Sequence, residues 1–543
     1  MSDRLDLDAI VVGAGFAGLY AVHRLRMSGL SVRCFESGGG IGGTWYWNRY
    51  PGARCDVESF DYSYSFSEDL QQAWEWTERY ATQPEILAYI EYVADRFDLR
   101  RYIQLNTRVD TARYVDDEAC WRVTFSDGTS LLARYCILAT GALSEVSTPN
   151  LPGIDEFRGE ILHTARWRSL PGGMRGRRVG VIGTGSSGIQ VISELAREVE
   201  RLCVFQRTAN FCMPARNAPL SADQTAAVKA TYSERRRIAR RALLGVPMPV
   251  PRQSALEVSE DERLEAFEAG WQEGGANAIV LRFTDVSVDE AANDLAANFI
   301  RSKIREIVHD PLTAEALVPR GYPLGAKRVC VGTDYYETFN LEHVSLVDLR
   351  RAPIQRITSN GIVTDDGEYN LDTLVFATGF DALTGSILTI DIEGREGMRL
   401  RDAWADGPHT NLGIMSAGFP NLFCICGPQS PSVASNMVLS IEQHVDWIAD
   451  CIDWLDSRGL VAIEPTVAAQ DEWGDHVQKV AGRTLQARAD SWYVGANIPG
   501  KPRVFMPYLG GVGAYRAKCD KVAASGYTGF EVRPARAVLA ESS

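Results

Sequence analysis

The chain has 543 residues, more than one hydrophobic core organises, so two or three domains are expected. Its composition is that of an ordinary soluble globular protein, with 45% hydrophobic and 23% charged residues. The net charge of −14 argues against nucleic acid and anionic membrane surfaces as partners, because both require a basic face.

The eleven cysteines show neither the paired spacing of a zinc site nor a C-x-x-C redox motif, and we expect no metal. Scattered cysteines are typical of thiols in a reducing compartment. The N-terminus is too polar for a signal peptide, and no apolar stretch is long enough to cross a bilayer. We therefore expect a cytoplasmic protein; the sequence leaves the oligomeric state open and is compatible with a monomer.

The chain begins with an apolar strand at residues 8–12, a glycine-rich turn, a helical pattern from Leu19 and a second strand at 31–35. A G-x-G-x-x-G turn between strand and helix is typical of a dinucleotide-binding fold. Its first glycine permits the tight turn, the second admits a pyrophosphate to the helix N-terminus, and the third lets the helix pack on the strand. The candidate cofactor residues in this turn are Gly13, Gly15, Ala17 and Gly18.

Glu36, at the end of the second strand, indicates which cofactor this first turn binds. A carboxylate there accepts hydrogen bonds from ribose hydroxyls and would repel a 2′-phosphate. The site therefore favours FAD or NAD over NADP. The alternative is a glycine-rich turn that binds no ligand.

The same pattern recurs between a strand at 178–182 and a helix predicted from Ile189, and the next strand, at 202–206, ends at Arg207 and Thr208. Arg207 can pair bidentately with a 2′-phosphate, each charge-assisted bond contributing about 1.5–3 kcal/mol. This second site therefore favours NADPH, although Arg207 alone could be an ordinary surface arginine. The other candidate cofactor residues here are Gly183, Thr184, Gly185, Ser186, Ser187, Gly188 and Gln190.

Two dinucleotide sites predict an α/β protein with two Rossmann-like domains, one for FAD and one for NADP. Two buried strands ending in Ala-Thr-Gly mark the crossings between domains. We expect an FAD domain in residues 1–143, an NADP domain in 144–380, and a return to the FAD domain with substrate-pocket loops in 381–543. Residues 223–310, rich in helix formers, predict a helical insertion in the NADP domain. The arginines within 235–241 are expected to form a solvated face of that insertion.

Two cofactor sites imply that NADPH reduces bound FAD. A disulfide reductase would need a cysteine pair beside the flavin, which the sequence lacks, so oxygen chemistry or simple electron transfer remains. Two loops carry the residues that could serve oxygen chemistry: segment 42–56, dense in aromatic residues and glycine, and segment 321–328, which ends in Lys327 and Arg328.

At these residues the sequence resembles the type I Baeyer–Villiger monooxygenases, most of all the branch of phenylacetone and steroid monooxygenases. The family fingerprint F-x-G-x-x-x-H-x-x-x-W is matched at Phe157, Gly159, His163 and Trp167. Arg168 follows it where the family has Pro or Asp, a departure that concerns the local turn. A second family motif, G-x-W-x-x-x-x-Y-P-G-x-x-x-D, is matched from Gly43 to Asp56, and the resemblance covers nearly the whole chain.

The resemblance implies a role for each matching position. Arg328 corresponds to the active-site arginine and Asp56 to the carboxylate that holds it. Arg207 and Lys327 correspond to ligands of the NADP 2′-phosphate, with Thr208 and Trp492 nearby. His163 is expected to serve domain motion or to be a hydrogen-bonded linker histidine. The implied FAD contacts are Glu36, Thr44, Trp45, Trp47, Asp56, Tyr62, Val109 and Met437.

Segment 427–437 resembles the family's substrate-pocket bulge, in which Ser432, Val433 and Met437 are expected to shape specificity. Gln429 replaces a glycine expected there, and a glycine-rich linker is the alternative interpretation of this segment. Arylacetones, steroids and cyclic ketones are all compatible with these motifs.

The implied reaction inserts one atom of O2 beside a ketone carbonyl, giving an ester or lactone through a C4a-peroxyflavin. Arginine remains charged at any working pH, and one preorganised donor such as Arg328 contributes roughly 3–4 kcal/mol to such a step. Taken alone, Asp56 and Arg328 could form a structural salt bridge. The second candidate is a flavin monooxygenase that oxidises nitrogen or sulfur and does not need this pair. A flavin-binding redox sensor would not need Arg207.

Overall fold

The computed structural model describes residues 5–535. Its strands are β1 (Leu7–Val12), β2 (Val32–Phe35), β3 (Ile103–Gln104), β4 (Val109–Val115), β5 (Cys120–Phe125), β6 (Ser130–Leu138), β7 (Glu160–His163), β8 (Arg178–Ile182), β9 (Arg201–Gln206), β10 (Cys212–Pro214), β11 (Cys330–Gly332), β12 (Val344–Asp348), β13 (Ile354–Thr358), β14 (Gly361–Thr364), β15 (Gly367–Asn370), β16 (Thr373–Phe376), β17 (Asp391–Glu393), β18 (Leu422–Cys424), β19 (Leu460–Pro465) and β20 (Phe530–Pro534). Its helices are α1 (Phe16–Met27), α2 (Thr44–Trp47), α3 (Glu68–Ala73), α4 (Gln83–Arg96), α5 (Ser186–Leu195), α6 (Ala222–Ala230), α7 (Tyr232–Ala239), α8 (Glu260–Glu273), α9 (Glu290–Ile307), α10 (Pro311–Leu317), α11 (Gly385–Leu388), α12 (Leu400–Ala403), α13 (Met437–Asp456), α14 (Val467–Ala481) and α15 (Val512–Ala524).

The first sheet joins strands from both ends of the chain and has eight strands within the described residues. Their order is β17-β4-β5-β6-β1-β2-β3, with β18 paired to β6. β1 runs parallel to β2 and β6, whereas β4, β5 and β6 form an antiparallel meander. Because β17 and β18 follow all strands of the second sheet in the chain, that second sheet lies within an insertion into the first unit.

The second sheet is parallel throughout and has the order β12-β9-β8-β16-β7, five strands in the part of the chain that the structure describes. Apolar side chains of β8 and β16, including Val179, Val181, Leu374 and Val375, are fully buried. Continuous burial is expected of parallel strands covered on both faces. The prediction of an α/β fold with two Rossmann-like units is confirmed.

Both Rossmann helices begin earlier than their apolar patterns indicate. α1 starts at Phe16 rather than near Leu19, and α5 starts at Ser186 rather than Ile189. Each helix follows its second glycine directly, since Gly15 and Gly185 are the N-cap residues. In α5 no large apolar residue precedes Ile189, and in α1 the small residues Ala17 and Gly18 separate Phe16 from Leu19, so apolar periodicity does not detect either start.

The predicted helical insertion is present as α6 to α9 and continues into α10. Capping residues start three of its helices: Ser221 for α6, Ser259 for α8 and Asp289 for α9, each accepting from first-turn N–H groups. α9 buries Ala292, Ala296 and other residues at helical spacing against the core of the second sheet. Helix α9 is therefore packed on the second Rossmann unit by an amphipathic face.

The expectation of a solvated arginine face is wrong for two residues of α7. The side chain of Arg235 pairs bidentately with Asp61, and Arg236 is 4% exposed. Arg237, Arg240 and Arg241 are exposed, as expected. Helical spacing places residues 235 and 236 on the side of α7 that meets segment 58–72, which composition alone does not reveal.

Within residues 5–535, no helix combines the length and the apolar character needed to cross a membrane. Across the same range, no group of three or more His, Cys, Asp and Glu side chains could hold a metal ion. All eleven cysteines are buried.

His444 on α13 is fully buried and its hydrogen bonds require the neutral imidazole. Its Nδ1 accepts from the Cys426 N–H at 3.0 Å, so Nε2 carries the proton and donates to the Tyr515 hydroxyl at 2.8 Å. That hydroxyl in turn donates to the Leu412 carbonyl. Burial lowers the pKa of His444 to about 4.

This lowered pKa predicts that the protein loses stability in acid. Between pH 6.5 and 4 the unfolded chain protonates His444 and the folded chain does not, so the free energy of unfolding falls as pH falls through this window. We expect His444→Gln to reduce the slope of the free energy of unfolding against pH by up to about 1.4 kcal/mol per pH unit, the value for one proton. Urea unfolding at several pH values measures this slope. The exposed His309→Gln serves as the control, and an equal slope in wild type and His444→Gln would contradict the prediction.

Candidate active site

The first glycine-rich turn leaves no room for a side chain at two of its glycines, Gly13 and Gly18. Gly13 has φ +104°, and a Cβ there would lie 2.6 Å from the Ala139 carbonyl oxygen. A Cβ on Gly18 would lie 1.8 Å from the carbonyl oxygen of Gly13. Gly15 caps α1 without a side-chain hydrogen bond, so first-turn N–H groups remain available to an anion. The turn therefore fits a pyrophosphate.

Glu36 lies beside this turn and is 5% exposed. Its carboxylate accepts from the N–H groups of Ala14 at 2.8 Å and Gly38 at 2.7 Å. Among the described residues it has no ion-pair partner. A buried carboxylate oriented by main-chain donors, with no cation nearby to favour a phosphate, fits the ribose of FAD.

The second turn repeats this construction. Gly183 has φ +109°, and a Cβ there would lie 2.5 Å from the Ala377 carbonyl oxygen, just as Gly13 meets Ala139. A Cβ on Gly188 would lie 2.2 Å from the Gly183 carbonyl oxygen. Gly185 precedes α5, and Ser186 and Ser187 form its first turn. Both Ala-Thr-Gly segments thus lie directly against a glycine turn.

Two cations meet where β9 ends. Arg207 is exposed directly after β9. Burial, and then the charge of Arg207, lower the pKa of Lys327 in segment 321–328. The Lys327 ammonium donates to the Asp490 carbonyl at 2.8 Å. Thr208 accepts at its carbonyl from the Thr184 hydroxyl at 3.0 Å. Two adjacent cations at this position fit a dianionic 2′-phosphate.

Arg328 and Asp56 form a bidentate pair across the two Rossmann units. Nε donates to Oδ2 at 3.0 Å and Nη2 donates to Oδ1 at 2.8 Å. Nη1 donates to the Val433 carbonyl at 3.0 Å. Asp56 raises the pKa of Arg328 further above its ordinary value, so the guanidinium stays charged. Its side chain is 33% exposed, which leaves it accessible to a ligand.

Segment 42–56, the aromatic loop, places Trp45 on α2, where its Nε1 donates to the Tyr62 hydroxyl at 3.2 Å. Thr44 and Trp47 are exposed on the same short helix. Val109 begins β4, and its side chain is buried in the core of the first sheet. A cofactor contact by Val109 would therefore come from its main chain.

Segment 427–437, the predicted substrate loop, is mostly buried and contains strained backbone. Gln429 has φ +69°, which explains why a glycine is expected there. Its side-chain oxygen accepts from the N–H and hydroxyl of Thr410 at 3.0 and 2.7 Å, which offsets part of the strain. Ser432 is fully buried, and its hydroxyl lies 3.9 Å from the sulfur of Met437, the first residue of α13.

Two tyrosines near this pair have contacts that the sequence did not indicate. Tyr493 is buried beside Arg328. Burial raises the pKa of Tyr493, and the guanidinium of Arg328 offsets part of that rise. Trp492 is packed with it, their ring centroids 4.3 Å apart. Tyr50 donates to Gln190 on α5 at 2.8 Å, and Gln190 donates to the Arg54 carbonyl at 3.1 Å. The aromatic motif thus also joins the two Rossmann units.

This junction depends on a close approach at Gly52. Gly52 has φ +82°, and a Cβ there would lie 2.8 Å from the Gln190 carbonyl oxygen. We expect Gly52→Ala to lower the free energy of unfolding by about 1–3 kcal/mol, from backbone strain plus displacement of α5. Gly128→Ala is the matched control, because Gly128 has φ +83° and no atom within 4 Å of its Cβ. Equal destabilisation in the two variants would contradict a role for the junction.

His163, in the fingerprint, ends β7 and links the two crossing segments. Its Nδ1 accepts from the Ala165 N–H at 3.0 Å, and its Nε2 lies 3.2 Å from the Thr378 hydroxyl, which donates to the Ser147 carbonyl. Burial lowers its pKa to about 4, so it is neutral at neutral pH. These bonds fit the linker interpretation, and a role in domain motion stays a prediction. Arg168, the departure from the motif, pairs with Glu160.

The chain is similar to known monooxygenases over nearly its full length. A family model described as flavin-binding monooxygenase-like matches residues 8–218. Phenazine N-monooxygenase PhzNO1 of Lysobacter antibioticus is 44% identical over 532 residues, covering 97% of each protein. A Baeyer-Villiger monooxygenase of Pseudooceanicola batsensis is 44% identical over 528 residues, covering 96% of each.

A solved structure extends the similarity to the fold. Oxidized steroid monooxygenase bound to NADP is 51% identical, with a TM-score of 0.93 that covers 97% of this chain and 100% of that one. The motif-based resemblance is therefore confirmed, and the chain belongs to the flavin-binding monooxygenases, in the Baeyer–Villiger monooxygenase family.

Proposed function

We propose that the protein is an FAD- and NADPH-dependent Baeyer–Villiger monooxygenase that uses O2 to convert ketones to esters or lactones. The observation that carries the proposal is the bidentate Arg328–Asp56 pair, held also by the Val433 carbonyl, between two complete dinucleotide turns. A fixed cation in this position suits a reaction in which negative charge develops on oxygen.

The first turn and Glu36 would hold FAD, with Trp45 and Tyr62 beside it. The second turn would hold NADPH, with Arg207 and Lys327 on its 2′-phosphate. Bound flavin supplies the oxygen-activating redox chemistry once NADPH has reduced it. What remains for the protein is to bind both cofactors, exclude water and provide charge stabilisation.

Arg328 has donors left for this task. Its guanidinium carries five N–H groups, of which Asp56 and Val433 accept from three. Tyr493 is a further hydrogen-bond partner of the guanidinium and accepts from one of the two other N–H groups. At least one N–H group therefore remains for a reacting oxygen. Asp56 fixes the plane of the guanidinium, so that no reorientation is needed during the reaction. In this proposal Ser432, Val433 and Met437 line the ketone's side of the site.

The relative that oxidises a nitrogen supports a second candidate function. Phenazine N-monooxygenase PhzNO1 matches this chain as well as the Baeyer-Villiger relative does, at 44% identity. The same charged pair could stabilise an oxygen transferred to a heteroaromatic nitrogen. N-oxygenation is therefore the alternative outcome of the functional test.

The test uses purified holoenzyme with NADPH in air and a panel of arylacetones, cyclic ketones, steroid ketones, thioethers and N-heteroarenes. Mass spectrometry of products made under ¹⁸O2 identifies the inserted atom. We expect one labelled oxygen in an ester or lactone from at least one ketone. Labelled N-oxide with no ester from any ketone would replace the proposal by the alternative.

We also propose the domain limits of residues 1–143, 144–380 and 381–543. Their support is that β6 and β17 of the first sheet flank every strand of the second. A cytoplasmic location stays a prediction from the sequence. The oligomeric state stays open, a monomer being compatible with the sequence, and light scattering measures it.

A further inference from the structure

Segment 61–66 is held between helix α7 of the insertion and helix α13 of the first Rossmann unit. On the α7 side, Arg235 donates to both carboxylate oxygens of Asp61 at 2.7 and 2.5 Å. Arg236 donates to the Asp61 carbonyl at 3.1 Å and to the Ser63 hydroxyl at 2.7 Å. Asp61 and Ser63 are 3% and 5% exposed. These contacts are buried and lie outside the two cofactor turns.

On the opposite side, Asn436 donates through Nδ2 to the same Asp61 carbonyl at 2.7 Å. Its Oδ1 accepts from the Val438 N–H at 3.2 Å, so Asn436 also caps α13. Glu442, on α13 six residues after Asn436, accepts from the N–H groups of Ser65 and Phe66 at 2.6 and 3.0 Å. The Asp61 carbonyl therefore uses both of its lone pairs, one for each helix.

This carbonyl lies between the two halves of the candidate site. The next residue, Tyr62, accepts from Trp45 in the aromatic loop. Asn436 precedes Met437 and follows the loop that carries Val433, whose carbonyl accepts from Arg328. A shift of Asn436 would move the substrate loop, and a shift of Asp61 would move Tyr62.

We propose that Arg236 and Asn436 are positioning residues that hold the substrate loop in register with Tyr62 through the Asp61 carbonyl, and thereby set ketone specificity. This proposal rests on the proposed function. Neither residue needs to touch substrate or cofactor, because each acts through a buried main-chain oxygen. The helical insertion, which carries Arg236, then contributes to the geometry of a pocket built on the other Rossmann unit.

The test compares Arg236→Lys and Asn436→Ser with wild-type holoenzyme. Lysine keeps the charge but cannot donate to two partners in the fixed geometry of a guanidinium. Serine keeps the helix cap but removes the amide donor. Arg237→Gln is the control, because Arg237 is exposed on the same helix and its ion pair is with Glu234, three residues earlier in that helix.

We expect both variants to retain full flavin content and an unchanged KM for NADPH. The KM for the ketone should rise about tenfold, the size expected for one lost buried hydrogen bond, and the ratio of regioisomeric products should change. Hydrogen exchange of residues 432–438 should be faster in both variants than in Arg237→Gln.

Unchanged ketone KM, product ratio and exchange rates in flavin-loaded Arg236→Lys and Asn436→Ser would overturn the proposal. The proposal would also be overturned if both variants had a lower melting temperature and a lower flavin content but a normal ketone KM. That result would indicate a merely structural contact. If wild-type enzyme oxygenates no ketone, the proposed function fails, whereas the hydrogen-exchange comparison still tests the positioning.

Discussion

Replacing Arg328 with alanine is expected to lower ester formation by about 100- to 1000-fold, while the enzyme still binds FAD and oxidises NADPH. The guanidinium is the charged group that Asp56 and the Val433 carbonyl fix between the two dinucleotide turns. Removing one preorganised donor of this kind typically costs roughly 3–4 kcal/mol in the transition state. The glycine turns, Glu36 and Arg207 remain intact, so cofactor binding and NADPH oxidation should continue, with reduced oxygen released as hydrogen peroxide.

The measurement is ester and hydrogen peroxide formed per NADPH consumed, normalised to bound flavin. Arg328→Lys should restore little activity, because an ammonium cannot pair bidentately with Asp56 while donating to Val433. Arg49→Ala, an exposed arginine in the same aromatic loop, should behave as wild type. Wild-type ester yield from Arg328→Ala would refute the role assigned to this residue and leave the pair as a structural bridge.

Replacing Arg207 with alanine is expected to lower kcat/KM for NADPH by about 10- to 100-fold and to leave kcat/KM for NADH nearly unchanged. Each charge-assisted hydrogen bond to the 2′-phosphate contributes about 1.5–3 kcal/mol, and NADH has no such group. Lys327 stays in place, so part of the preference for NADPH should persist. Burial and Arg207 together lower the pKa of Lys327, and removing Arg207 should raise it again.

Steady-state kinetics with both nucleotides measure this effect as a ratio of two kcat/KM values. Arg201→Ala is the control, since Arg201 is exposed at the opposite end of the same strand, β9. An unchanged ratio of NADPH to NADH in Arg207→Ala would mean that the 2′-phosphate is recognised elsewhere, with Lys327 as the first residue to test.

The sequence predicts some residues of the candidate site from local pattern alone, and their geometry in the structure agrees with that prediction. The glycines at 13, 18, 183 and 188 each meet a carbonyl oxygen within the same strand–turn–helix unit or its neighbouring strand. Glu36 and Arg207 follow strands whose position beside a turn is set by the Rossmann connection. Local pattern and connection together therefore predict the chemistry at these positions.

Other residues acquire their role only when distant segments meet. Arg235 and Arg236 belong to a run of arginines that looks solvated, yet their partners lie about 170 residues earlier, in segment 61–71. Gln429 occupies a left-handed position usually held by glycine and is stabilised by Thr410, a contact that no motif encodes. Charge and composition do not tell which face of a helix is buried.

By itself, the sequence determined the two Rossmann-like units, the helical insertion, the identity of the cofactors and the family. These follow from short-range periodicity and from glycines whose geometric requirement is the same in every such turn. Only the tertiary structure decided how the units join at Tyr50, Gly52 and Gln190, how Arg328 reaches Asp56, and how the Asp61 carbonyl is shared by two helices. Such contacts join residues far apart in the chain, and their energies depend on distances and burial that no local pattern contains.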